Sequence, residues 1–158
     1  VQARMVNFSD IAVGIGHPET EMVGIYLEMK GDLGGQAILI MTLPSAMNLA
    51  GLLIGHEPGT PVSFDEEARS ALAEVGHLMV AYFLNAMAVL TGKPLRPSPP
   101  AVIVDMLGAI VSVLATSVAG LGDQVMIFET MLQEIARDVE IRFWVLPDLA
   151  SHFTVADL

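Results

Sequence analysis

Twice in this chain an apolar run ends in Leu-Pro and leads into a short helix-forming segment: Leu43-Pro44 before Ser45 to Ile54, and Leu146-Pro147 before Asp148 to Val155. The two dipeptides lie 103 residues apart. Proline suits the first turn of a helix, where its missing N–H would have no partner anyway. A hairpin pattern precedes each dipeptide. In the first, Val23, Ile25, Leu27 and Met29 alternate with Gly24, Tyr26, Glu28 and Lys30, the period of a half-buried strand. The turn Gly31-Asp32-Leu33-Gly34-Gly35 and the run Ala37 to Met41 complete it. In the second, Val125 to Met131 precedes Val139, Ile141, Phe143 and Val145, which alternate with Glu140, Arg142 and Trp144. Each hairpin also has a strand-like segment upstream, Met5 to Val13 and Ala101 to Val104. Element order repeats along with the dipeptide, so the chain reads as one domain with an internal repeat, residues 1–55 and 99–158. Met106 to Gly122 is expected to hold a helix that the first copy lacks.

A long helix, about Asp65 to Leu90, joins the copies. Ser63 with Glu66 three residues on forms a capping-box signature, Asp65, Glu66 and Glu67 suit the positive helix start, and Gly92 closes the helix. At about 100° per residue, Ala68, Ala71, Leu72, Val75, Leu78, Met79, Tyr82, Phe83, Ala86, Val89 and Leu90 share a broad apolar face, expected to be core. Ser70, Glu74, His77, Ala81, Asn85 and Ala88 fall on the opposite, solvent side. The flanks Ala73, Gly76, Val80, Leu84 and Met87 are expected to lie under a second helix or another subunit.

Charge narrows the function. Seven Lys and Arg stand against 18 Asp and Glu, a net charge of −11. Such a chain cannot neutralise a phosphate backbone or favour an anionic lipid surface, so nucleic acid is excluded as a partner. It suits a partner that presents Lys or Arg. No cysteine is present, which excludes disulfides, zinc ribbons and thiol nucleophiles and fits a cytoplasmic protein. The 158 residues, 53% of them apolar, suffice for one core without staples. Two stretches lack Asp, Glu, Lys and Arg, Leu33 to His56 and Met106 to Gly122. Pro44 cuts the first and the second is short of the roughly 20 residues a span needs, so both read as buried elements, not membrane spans. Arg4, Asn7, Ser9 and Asp10 do not read as a secretory signal.

Glu74 and His77, three apart on one helix, are neighbours. By spacing alone they form a solvated i,i+3 pair contributing a few tenths of a kcal/mol. Glu-x-x-His is also half of a di-iron bundle site, but no second such pair occurs, so no metal site is expected. His17, His56 and His152 lie near turns or chain ends and form no nucleophilic triad. Gly31 to Gly35 lies between strands and does not open a helix, so it is a turn and not a phosphate cradle.

The run Ser70-Ala71-Leu72-Ala73-Glu74-Val75-Gly76-His77, followed after 22 residues by Pro100, resembles the signature of the CheC/CheX/FliY family of chemotaxis phosphatases. That signature is Asp or Ser, three residues, Glu, two residues, Asn, 22 residues and Pro. Tyr82 to Gly92 (YFLNAMAVLTG), Arg96 to Pro100 (RPSPP) and Val104 to Gly108 (VDMLG) also look like CheC, and the likeness runs nearly the whole chain. It implies an α+β fold: a duplicated unit in which an antiparallel sheet carries the long signature helix and shorter helices alongside. It further implies dephosphorylation of a CheY-type response regulator. On that pattern Glu74 grips the regulator through its active-site lysine. His77, at the Asn position, orients the attacking water. Ser70, Ala81 and Asn85 lie along the contact, and Pro100 is a structural element of the motif. The chain needs no cofactor of its own, since the regulator supplies Mg²⁺.

Two departures from the pattern matter. His77 replaces Asn, exchanging an amide for a larger ring that loses its acceptor when protonated. The leading helix of the first copy has no counterpart, so the first site of two-site relatives is missing from this sequence and falls to upstream sequence or to a homodimer partner. Three readings therefore stand: a phosphatase acting through Glu74 and His77; a non-catalytic module holding a receiver domain, a CheD-type deamidase or a flagellar-switch component; and an oligomerisation domain using the flank around Val80 and Leu84.

Overall fold

The alternating apolar runs become strands of one antiparallel sheet in the computed structural model, which describes residues 2–7, 10–11, 15–32, 34–118 and 124–148. The strands are β1 (Gln2–Asn7), β2 (Glu21–Gly31), β3 (Gly35–Thr42), β4 (Leu95–Pro97), β5 (Ala101–Met106), β6 (Gln124–Glu134) and β7 (Val139–Pro147), and the helices α1 (Leu43–Leu53), α2 (Glu66–Thr91) and α3 (Leu107–Val118). Sheet order is β1-β6-β7-β3-β2-β4, with β5 also on β2. The hairpins β2–β3 and β6–β7 meet through β3 and β7 at the centre. Each hairpin takes the leading strand of the other half: β5 pairs with β2, and β1 with β6. In these two pairs Glu21 faces Met106 and Gln124 faces Asn7.

Helices cover both faces. Val23, Ile25 and Leu27 of β2 and Leu39 and Met41 of β3 pack beneath α1 and α2. Met22, Ile38, Ile40, Ile127 and Trp144 pack against Leu107, Ile110 and Leu114 of α3. This corrects the half-buried expectation for β2: its residues from Met22 to Ile25 are all buried, because polar–apolar alternation fails once both faces are dry. Trp144, grouped by alternation with Glu140 and Arg142, is fully buried. Its Nε1 donates to Glu129 Oε1 at 3.1 Å, and Arg142 Nη1 stands 3.6 Å from the same oxygen.

The first Leu-Pro does start a helix. Thr42 caps α1 by accepting from the Ser45 N–H, and Pro44 sits in its first turn. The helix expected over Asp148 to Val155 lies outside the described residues beyond Asp148, as does His152. Of the segment Met5 to Val13, β1 takes the part to Asn7, and residues 8, 9 and 12–14 lie outside the described set. The uncharged stretches resolve into β3 plus α1, and α3. Helix α2 is long and apolar enough, by length and composition, to cross a membrane. In the fold its Leu72, Val80 and Leu84 pack into the core on the sheet.

The cap of α2 differs from the capping-box expectation. Asp65 is the N-cap, accepting from the Ala68 N–H at 3.0 Å, and Ser63 is exposed. The C-cap is Gly92 at φ 68°. Asp65→Ala is therefore expected to lower stability by about 1 kcal/mol, and Ser63→Ala to leave it nearly unchanged, as read by denaturant unfolding. The reverse ranking would place the cap at Ser63.

Candidate functional site: the outer ridge of α2

What α2 presents outward depends on which line of residues it buries. The inner line is Ala68, Leu72, Gly76, Val80, Leu84 and Met87. Gly76 makes this seating possible, because a Cβ there would stand 2.6 Å from Ile25 Cγ2 on the β2 strand beneath. Phe83 fills the side toward β6 and β7, its ring centroid 6.3 Å from that of Phe128 and 5.6 Å from that of Phe143. The helix is thus rotated by roughly a quarter turn from the orientation that hydropathy implied. Leu78, Tyr82, Ala86, Val89 and Leu90, expected in the core, are exposed. Gly76, Val80, Leu84 and Met87, expected to await another helix or subunit, are buried in the protein's own core. This overturns the oligomerisation reading that used Val80 and Leu84.

The expected stripe stays on the outer side. Ser70, Glu74 and Asn85 are exposed, while His77 and Ala81 are half-buried. Glu74 forms no ion pair among the described residues. His77 lies on the flank of this ridge with Nδ1 buried and without a hydrogen-bond partner. The fold therefore closes off one ring nitrogen and leaves Nε2 as the one a partner meets. An unpaired buried N–H is rarer than an under-used acceptor, so the tautomer with its proton on Nε2 fits this environment. His77 then offers a donor outward.

The local field is negative. Glu66 and Glu67 occupy the first turn, and Arg69, the one Lys or Arg of α2, is turned away. Its guanidinium lies 5.0 Å over the Phe64 ring and Nη1 donates to the Val102 carbonyl. Pro100 is half-buried immediately before β5. There the edge switches from β4 to β5, and Ser98 bridges the gap: its N–H donates to the Glu28 carbonyl at 2.8 Å and its hydroxyl accepts from the Glu28 N–H at 2.9 Å. The edge tolerates Pro99 and Pro100 because no ladder N–H is required of them. Neither β4 nor this bridge was anticipated from the sequence.

The arrangement is a ridge, not a cleft. Cavities of about 270 and 240 Å³ flank the β6–β7 turn near Asp138 and contain neither Glu74 nor His77. Among the described residues no three His, Asp or Glu side chains cluster as a metal site would require. A convex helix with an unpaired carboxylate and an outward imidazole can reach into another molecule's cavity. It cannot enclose a small substrate.

No family model matches the sequence. CheY-P phosphatase CheC of Bacillus subtilis is 29% identical over 153 residues, covering 94% of this chain and 73% of that protein. FliY of Thermotoga maritima superposes with a TM-score of 0.69 at 19% identity, over 91% of this chain and 71% of FliY. CheX in the CheX–CheY–BeF₃–Mg²⁺ complex of Borrelia burgdorferi superposes at 0.52 and 19% identity, over 89% of this chain and 94% of that one. Together the sheet with its exchanged leading strands and the exposed signature helix define an α+β protein of CheC-like architecture. Over most of its length the chain is similar to proteins of the CheC/CheX/FliY family.

Proposed function

We propose that this protein docks a phosphorylated CheY-type response regulator on the outer ridge of α2 and accelerates hydrolysis of its aspartyl phosphate. The observation that carries this reading is the placement of Glu74 and His77: both lie on the outward side of a helix held rigidly to the sheet by Gly76 and the residues on its line. The relative in Bacillus subtilis named for CheY-P phosphatase activity supports the same partner and reaction.

The chemistry asks little of the helper. In an acyl phosphate the water oxygen attacks phosphorus, the P–O bond to the aspartyl carboxyl breaks with its electron pair leaving on the carboxylate, and the water's proton departs with phosphate or to solvent. The barrier falls when the water is held in line with the leaving oxygen. Glu74 would fix the regulator through a cationic side chain, and the Nε2–H of His77 would donate to the attacking water or to a phosphoryl oxygen. Mg²⁺ belongs to the regulator in this proposal, and the chain contributes no ligand to it. Ser70, Ala81 and Asn85 complete the contact.

One observation favours a purely binding role: the buried Nδ1 leaves His77 a single outward group, where an amide would present donor and acceptor together. The two readings separate in a phosphate-release assay with phosphorylated regulator. Catalysis requires wild type to speed release and Glu74→Ala to slow it at least about 10-fold through weaker docking. Tight binding with decay no faster than the free regulator's would identify an adaptor, one able to serve a CheD-type deamidase or a flagellar-switch component. Unchanged binding and turnover in Glu74→Ala would remove Glu74 from the site.

A further inference from the structure

The outward line of α2 continues past Glu74 with large apolar side chains that the fold leaves uncovered: Leu78 is 46% exposed, Tyr82 74% and Val89 85%. Single exposed apolar residues are ordinary, but three along one rigid helix form a patch that water disfavours. Leu78 and Tyr82 follow Glu74 at i+4 and i+8, so they stand about 6 and 12 Å along the axis from it, turned by about 40° and 80° around the helix. A docking face of standard size, about 800 Å² per partner, is roughly 16 Å in radius, so one centred on Glu74 takes in Leu78 and Tyr82, while Val89, about 22 Å along the axis, lies beyond it.

The geometry points to Leu78 and Tyr82 as the apolar anchor that seats the receiver domain of the response regulator. This inference rests on the function proposed above and adds the surface that sets affinity. The partner it defines carries a cationic group opposite Glu74 and an apolar patch within roughly 12 Å of it. Charge selects this occupant over a second copy of the chain. The ridge begins with Asp65, Glu66, Glu67 and Glu74, Arg69 is turned away, and each copy carries a net charge of −11, so apposed copies repel. A partner with basic residues beside its phosphorylation site is attracted by the same field. Tyrosine suits the anchor, because it buries a large rigid ring while its hydroxyl remains hydrogen-bonded at the rim.

The test is steady-state dephosphorylation together with sedimentation of the full chain. Tyr82→Ser and Leu78→Ser alter exposed positions and leave the core intact. Each is expected to raise KM for the phosphorylated regulator about 30-fold with kcat changed less than about twofold, and Tyr82→Phe to stay near wild type. An unchanged KM in Tyr82→Ser overturns the anchor even where His77→Ala abolishes turnover. A dimer that dissociates on Tyr82→Ser, with KM unchanged, also overturns it and assigns the face to self-association. If instead wild type never accelerates hydrolysis but Tyr82→Ser weakens receiver binding by the same factor, the anchor stands and the phosphatase reading fails.

Discussion

Replacing His77 with alanine is expected to reduce the regulator's catalysed dephosphorylation about 100-fold at saturating regulator, the size of effect that a misplaced reacting group produces. His77→Gln should recover most of that loss and His77→Asn less. The difference follows from the ring. Nδ1, as close to the backbone as an asparagine amide, is buried and unpartnered, so the group facing outward is Nε2, whose reach glutamine matches. Single-turnover phosphate release from preloaded regulator reads chemistry apart from docking. An asparagine variant faster than wild type would mean that the receiver seats deeply enough for the shorter amide, and that the imidazole is a handicap. Nitrogen NMR of the imidazole checks the tautomer without the regulator: a proton on Nδ1 would remove the basis for ranking glutamine above asparagine.

Gly76→Ala should destabilise the protein by roughly 1–3 kcal/mol, although alanine is the better helix former by about 1 kcal/mol. For a domain of this size that is a fall in Tm of several degrees, roughly 2–4 °C per kcal/mol. The new methyl would stand 2.6 Å from Ile25 Cγ2 and 3.3 Å from Ile25 Cβ and Cδ1. Ile25 is β-branched and fully buried, so it cannot swing clear, and α2 has to lift from the sheet. Ile25→Ala removes the obstructing methyls at its own cost, roughly 2–5 kcal/mol. In the double variant the added methyl enters that space, so the two changes should couple favourably by at least about 0.5 kcal/mol in thermal or denaturant unfolding. A Gly76→Ala protein that melts higher than wild type would show that the helix does not ride so close. Because Glu74 and His77 flank Gly76, the same lift should also lower turnover.

Much of this was legible in the residues themselves. Leu43-Pro44 marks the strand-to-helix junction because proline permits few alternatives, and α1 starts there. The start of α2 could be read to within two residues, but the capping side chain could not. Ser63 and Asp65 both suit an N-cap, and only the entry path of the chain selects Asp65.

Local order was therefore set by short-range rules: which runs alternate, where proline and glycine break them, and which residues fall three or four apart, as Glu74 and His77 do. The facing of α2 was decided in three dimensions. Its apolar residues are spread nearly all round, so hydropathy alone does not choose a buried side. Contact does: a missing side chain at Gly76 lets the helix settle on Ile25, which turns Val80 and Leu84 inward and leaves Leu78 and Tyr82 beside Glu74 in the open. A single hydrogen in place of a methyl determines which ridge a partner meets, and that depends on the strand beneath, not on the helix's own sequence.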